Sequence, residues 1–326
     1  MLEKPTSATS SAKSRGGAVL ALRGLLVMTC GFFVGACESD PLYGGRPIGE
    51  WVERLSDSSV TLRIEAARAL GSVLELNPRS ARSAQALVGA LADSVDAVRL
   101  AAAVSLANEG IEAPGIATGL AEMMNDSAHA IVRVRAADLL GLVKVEQSVA
   151  ADALAAALDD PSAEVRVSAI QSLGRLGPLA QSAANKLVTR YDDTLAATRV
   201  LVLQALGRMQ AANEETRVVY VLALKDSNRS VRFAAATAIN ALGPDATPLL
   251  PALKQALADS DPDVRHSAIV AIGQIGAEAN TALVKLDEMA RSDSSEFVRS
   301  AAEYTAAVLR GQRKPLRSPP EPSRVP

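Results

Sequence analysis

The sequence predicts an all-α solenoid of about eight helical hairpins, and three observations carry that prediction. First, an arginine recurs as Arg63, Arg99, Arg133, Arg166, Arg199, Arg232, Arg265 and Arg299, at intervals of 36, 34, 33, 33, 33, 33 and 34 residues. Second, an aspartate stands six residues before the arginine in most copies, as Asp57, Asp93, Asp160, Asp193, Asp226, Asp259 and Asp293; in the third copy, Asp126 stands seven before. Third, the chain is 48% hydrophobic but 3% aromatic, which suits helices packed closely through small aliphatic side chains. A fixed period of this length marks stacked supersecondary units that bury their apolar faces against one another.

In chain order, the first segment is basic and then apolar. Lys4, Lys13, Arg15 and Arg23 stand against Glu3, a local charge of +3 (four minus one); with −2 for the whole chain, the remainder carries −5. Gly24 to Ala36 is an uncharged run, followed by Cys37 and the polar Glu38, Ser39 and Asp40. This is the layout of an export signal, and the run is shorter than the roughly 20 residues that span a bilayer. Val34, Gly35, Ala36 and Cys37 resemble the lipobox of bacterial lipoproteins, with Val34 where leucine is usual. That resemblance implies removal of residues 1–36, Cys30 among them, and acylation of Cys37 at a bacterial envelope membrane. The mature chain would then hold no free thiol.

Residues 37–46 read as a Pro/Gly-containing tether, and the folded region is expected from Pro47 to Arg310. Ile48, Trp51, Val52 and Leu55 recur at helical spacing in the first hairpin. Trp51, the single tryptophan, is read as a cap over the open end of the first repeat rather than as a binding anchor. Each later copy has two amphipathic segments joined by a polar turn, without the alternation of strands. Four residues before the arginine stand Ser59, Ser162, Asn228, Asp261 and Ser295 in five copies, types that accept hydrogen bonds from the first free N–H groups of a helix. Within the second helix, positions −1, +3 and +7 from the arginine are expected to face the first helix. Positions +1, +4 and +8 suit the neighbouring repeat, and the +1 series, Ile64 to Phe233, is read as packing rather than as a recognition stripe.

An aspartate, Val-Arg six residues on, then Ala-Ala and Leu-Gly, as in DSSVTLRIEAARALG from Asp57 to Gly71, resembles the HEAT repeat in its short bacterial form, also seen in phycobilisome-lyase-like HEAT proteins. The resemblance covers about residues 47–310. Leu62 and Thr198 replace the valine, Ala107, Asn240 and Ala307 the late glycine, and Val202 with Leu203 the alanine pair. It implies a right-handed stack whose second helices line a concave surface. It also implies that the recurring aspartates and arginines form a structural ladder between turns. A planar guanidinium with a bidentate carboxylate would fix the geometry of each step.

Chemistry-bearing patterns are sparse, and the sequence is read as non-catalytic, with no cofactor and no metal. His129 and His266 fall in different repeats, and no HExxH, CxxC, GxSxG or Walker-type loop occurs. The pairs Asp159/Asp160 and Asp192/Asp193 read as solvated turns. HEAT-type hydroxylases carry His-Glu pairs, which are absent from this sequence, and the acidic body gives nucleic acid no electrostatic purchase. Gly311 to Pro326 holds five prolines without apolar periodicity and is expected to be a disordered spacer. The expected function is a lipid-anchored scaffold that binds a protein or peptide on the concave face. Candidate partner residues are those that differ between copies: Glu65, Arg68, Arg135, Asp138, Gln171, Gln204 and Tyr304. The alternatives are a purely structural envelope protein or, more remotely, a bilin-lyase-like or enzyme accessory.

Overall fold

The computed structural model describes residues 41–107, 112–192 and 195–313. The export segment, Cys37 and the proline-rich stretch from Lys314 onward lie outside the described residues, as does Asp193.

The described chain opens with a short hairpin, β1 (Leu42–Tyr43) paired antiparallel with β2 (Arg46–Pro47), turned by Gly44 and Gly45 in left-handed backbone. Residues 42–46 were expected to be tether. They are ordered because Trp51 recruits them: its Nε1–H donates to the Tyr43 carbonyl at 2.9 Å.

Eight helix pairs follow: α1 (Ile48–Arg54) with α2 (Val60–Leu76), α3 (Ala81–Ala90) with α4 (Asp96–Ser105), α5 (Ile116–Asp126) with α6 (Ala130–Leu140), and α7 (Gln147–Ala157) with α8 (Ala163–Leu176). The series continues with α9 (Ala184–Val188) and α10 (Ala196–Arg208), α11 (Glu214–Ala223) and α12 (Arg229–Ala241), α13 (Leu250–Ala256) and α14 (Pro262–Ile275), and α15 (Leu283–Ser292) and α16 (Glu296–Leu309). Three first helices are preceded by 3-10 turns at Gly177–Ala183, Gly243–Leu249 and Gly276–Ala282. The opening glycines there have φ of +61°, +58° and +80°, which an L side chain adopts only with strain, so glycine ends one hairpin and starts the next.

The predicted faces pack as expected. Val165, Ala169 and Leu173 of α8, Val231, Ala235 and Ile239 of α12, and Val264, Ala268 and Ile272 of α14 are all at 0% exposure and belong to positions −1, +3 and +7. Consecutive second helices approach through small residues. A Cβ built on Gly207 at +8 of α10 would lie 2.8 Å from the Cα of Ala238 in α12, and one on Gly174 of α8 would lie 3.1 Å from the Cα of Ala205 in α10. The +8 glycine thus sits on the backbone of the next repeat's +6 position, where larger side chains would force the helices apart. Ile64, Leu100, Val134 and Val200 of the +1 series are partly buried against the core, but Phe233 is 44% exposed. Packing therefore accounts for these four aliphatic members of that series and not for its aromatic one.

The caps divide by side-chain length. Asn228 accepts from the Ser230 N–H and Asp261 from the Asp263 and Val264 N–H groups, whereas Ser59, Ser162 and Ser295 occupy the same position without a side-chain cap bond. At all five positions the residue's own N–H donates to the aspartate two positions earlier, at 2.8 to 2.9 Å. The turn is closed by that aspartate in each of these copies, and Asn228 and Asp261 add a side-chain cap to it.

Candidate functional site

The recurring arginines and aspartates meet across repeats. Arg232 Nε and Nη2 donate to both carboxylate oxygens of Asp259 in the next repeat at 2.7 and 3.0 Å, while Nη1 donates to the Asp226 carbonyl of its own turn at 3.0 Å. Arg63 binds Asp93, Arg133 binds Asp160, Arg199 binds Asp226 and Arg265 binds Asp293 through the same bidentate geometry. At Asp160, the Arg133 guanidinium holds the carboxyl below the usual carboxylate range, against desolvation. Arg265 does the same for Asp293. At the ends of the array, the Asp57 carboxylate accepts from the Ser59 N–H and its carbonyl from Arg63 Nη1 at 2.9 Å, and Arg299 donates to the Asp293 carbonyl at 2.8 Å. Arg166 donates to the Asp160 carbonyl at 2.8 Å; the equivalent aspartate of the next repeat, Asp193, lies outside the described residues.

The second step departs from the prediction. Asp126 is exposed, and the buried residue six before Arg133 is Ser127. The ionic partner of Arg99 is Asp96, three residues earlier in its own repeat. Asp96 Oδ2 in turn accepts from Ser127 Oγ at 3.0 Å and contacts His129 Nδ1. One extra residue between aspartate and arginine rotates Asp126 out of the turn, and Asp96 supplies the charge from the other side.

The paired aspartates serve separate contacts. Asp160 belongs to the ladder, and Asp159, held below its ordinary range by Lys186, pairs with Lys186 at 2.7 Å and Arg190 at 3.1 Å. Each carboxylate is committed to a cation of its own, which is not the arrangement of an acid–base pair. Among the described residues, no group of three or more His, Cys, Asp or Glu side chains is placed to hold a metal ion.

The variable candidates line the second helices. Glu65, Arg68, Arg135, Gln171 and Gln204 are exposed, and Asp138 and Tyr304 are half-buried. Asp138 is engaged within the fold: its Oδ1 accepts from Ser168 Oγ at 2.5 Å and from Arg175 Nη2 at 3.2 Å in the next repeat. Glu65 and Arg68 border a cleft of about 780 Å³ at the N-terminal end, backed by Trp51, Tyr43, Arg46 and Ile64. Trp51 is 5% exposed, with the Arg46 and Arg54 guanidiniums 5.8 and 5.3 Å from its ring centroid. It covers the first hairpin and also forms the floor of that cleft.

A second cleft, of about 540 Å³, lies toward the C-terminal end; the repeat pattern marks Phe233 and His266, both at +1, but not Phe297. Phe233 of α12, His266 of α14 and Phe297 of α16 line it with Arg229 and Asp263. The rings of His266 and Phe297 stack at 3.9 Å and 17°. Burial lowers the pKa of His266, opposed by the nearby Asp263 carboxylate. The signal available in sequence was scarcity: Phe233 and Phe297 are the phenylalanines of the repeat region, the other two of the chain's four being Phe32 and Phe33.

The HEAT-repeat family model matches residues 48–141, 116–207 and 218–307. No curated protein matches the sequence. Among solved structures, YibA of Escherichia coli is 22% identical over 79% of this chain and 91% of its own, with a TM-score of 0.50. Kap121p is 15% identical over 81% of this chain with a TM-score of 0.51, and this chain spans a third of its length, 33%. The complex of CpcE and CpcF of phycocyanin lyase from Nostoc sp. PCC7120 aligns with 48% of this chain and 98% of its own at 23% identity and a TM-score of 0.40, too distant to speak for function. At these identities the likeness is one of fold. With three matches spanning most of the repeat array, the chain belongs to the HEAT-repeat family.

Proposed function

We propose that this chain is a non-catalytic, membrane-tethered scaffold that binds a protein or peptide partner along the face formed by its second helices. The observation that carries the reading is the division of labour on those helices. The residues that recur are consumed by packing and by the ladder, while Glu65, Arg68, Arg135, Gln171 and Gln204 differ from copy to copy and remain exposed. Long surfaces assembled from many such positions recognise extended partners without a single deep pocket. Tethering rests on the resemblance of residues 34–37 to a lipobox, and acylated Cys37 would place the array at a bacterial envelope membrane.

Crosslinking and pull-down from native membranes test the reading, comparing the natural chain with an Arg68→Glu, Arg135→Glu variant. Asp138 is left in place because it holds the neighbouring repeat. A defined set of partners that disappears in the variant is the expected result. Recovery of lipid alone, or of the same proteins with both chains, would overturn it. The mass of the mature N-terminal peptide tests acylation of Cys37 separately.

A further inference from the structure

The last helix does not simply end. After Leu309 the chain reverses at Gly311, whose φ is +72°, and the N–H groups of Gln312 and Arg313 both donate to the Ala307 carbonyl, at 2.9 and 3.3 Å. This reversal brings the Arg313 guanidinium over the Tyr304 ring, 5.7 Å from its centroid. Tyr304 lies seven residues after Phe297, and seven residues are only about 20° short of two full helical turns, so both rings occupy one stripe of α16. Arg313, the last described residue, thus lies against the stripe of α16 that leads to the cleft of Phe233, His266 and Phe297.

That cleft suits a proline-rich occupant. Phe297 is 57% exposed and Phe233 44% exposed, so both rings offer aromatic surface to solvent. The charges at its edge, Arg229 and Asp263, pair with each other at 3.7 Å, so the surface offered is mainly aromatic. Extended proline-rich segments lose little conformational entropy on binding and dock into aromatic-lined grooves. The segment that follows Arg313 reads KPLRSPPEPSRVP and contains Pro315, Leu316, Pro319, Pro320 and Pro322.

Reach is sufficient. Tyr304 to Phe297 is about 10 Å along the helix axis, and crossing two neighbouring helices toward Phe233 adds about 20 Å. Residues 314–326 in a polyproline conformation extend about 40 Å. We propose that this segment runs back along α16 and seats its prolines in the cleft of Phe233, His266 and Phe297, so that the chain occupies the aromatic end of its own second-helix face. The inference needs no external partner and stands or falls separately from the scaffold reading.

The two histidines provide the test. His129, whose side chain is 72% exposed and which lies in the third repeat, serves as an internal reference for His266. Carbethoxylation of both rings by diethyl pyrocarbonate is followed by mass spectrometry in the full chain, in a chain ending at Arg313, and in a full-length Pro319→Ser, Pro320→Ser variant. The expected result is a several-fold faster reaction at His266 in the shortened chain, an intermediate rate in the double variant, and unchanged His129 in all three. Protection must also be independent of protein concentration in the full chain. Equal His266 rates in all three chains would overturn the proposal. So would protection that grows with concentration, the mark of a second copy, or protection that arises only on adding envelope extract, the mark of a foreign segment.

Discussion

The step from α12 to α14 and the step from α4 to α6 begin with the same arginine and end on different partners. In the first, Arg232 reaches forward to Asp259 and grips both carboxylate oxygens. In the second, Arg99 stays within its own repeat on Asp96, while Ser127 occupies the place of the forward aspartate. The composition of the two motifs is nearly alike; what differs is one residue of spacing. A ladder rung is set by register, because a one-residue shift on a turn moves a side chain by about a third of a helical circumference. The buried serine also keeps the vacated position from holding an unpaired charge.

The largest expected effect is on the regular step. Arg232→Ala removes one partner of a largely buried pair, whose side chains are 15% and 8% exposed, and leaves Asp259 without its guanidinium. A loss of about 3 kcal/mol is expected, read as a lowered denaturant midpoint. An unchanged midpoint would show that the rung is ornamental. Close packing of the same region gives the next effect. Gly207→Ala forces a methyl against the Ala238 backbone and is expected to cost about 1–3 kcal/mol. The exposed Gly89 of α3, with nothing within 4 Å of a built Cβ, should instead gain about 0.5–1 kcal/mol as alanine.

At the irregular step, Asp96→Ala should cost about 1–2 kcal/mol, since Arg99 and Ser127 both lose an acceptor. Adding Ser127→Asp should recover most of that loss by restoring the six-residue spacing, and failure to recover would mean that register alone does not define a rung. His129→Ala, which removes an exposed contact to Asp96, should change stability by less than about 0.5 kcal/mol.

Acid should distinguish the ladder from the rest of the surface. The carboxyls of Asp160 and Asp293, held by Arg133 and Arg265, and those of Asp226 and Asp259, where desolvation is overcome by arginine and a backbone N–H together, all have folded pKa values below the ordinary one. A depressed folded pKa contributes stability that is fully present above the unfolded value of about 3.9 and is lost as pH falls through the folded value. Unfolding free energy should therefore hold steady through neutral pH and drop below about pH 4, with a shallower drop in Arg232→Ala than in the natural chain.

By itself, the sequence determined the architecture. The period of the arginines, the apolar positions at −1, +3 and +7, and the small residues at +8 each follow from helix geometry, which is local and repeats without reference to anything distant. That the arginines and aspartates pair in a ladder was implied by the repeat resemblance, while the structure decided that five arginines reach forward to the next copy's aspartate. Tertiary structure alone decided the exceptions. Asp96, which no repeat position marks, became the partner of Arg99 because the turn after α5 is one residue out of step. Asp138, a candidate for partner binding, became an internal contact because Ser168 and Arg175 of the next repeat lie against it. Phe233 and His266 share the +1 position of successive repeats, but Phe297 stands two before its arginine, so no periodic pattern connects it to them; the three form one cleft because stacked helices bring their exposed sides within side-chain reach.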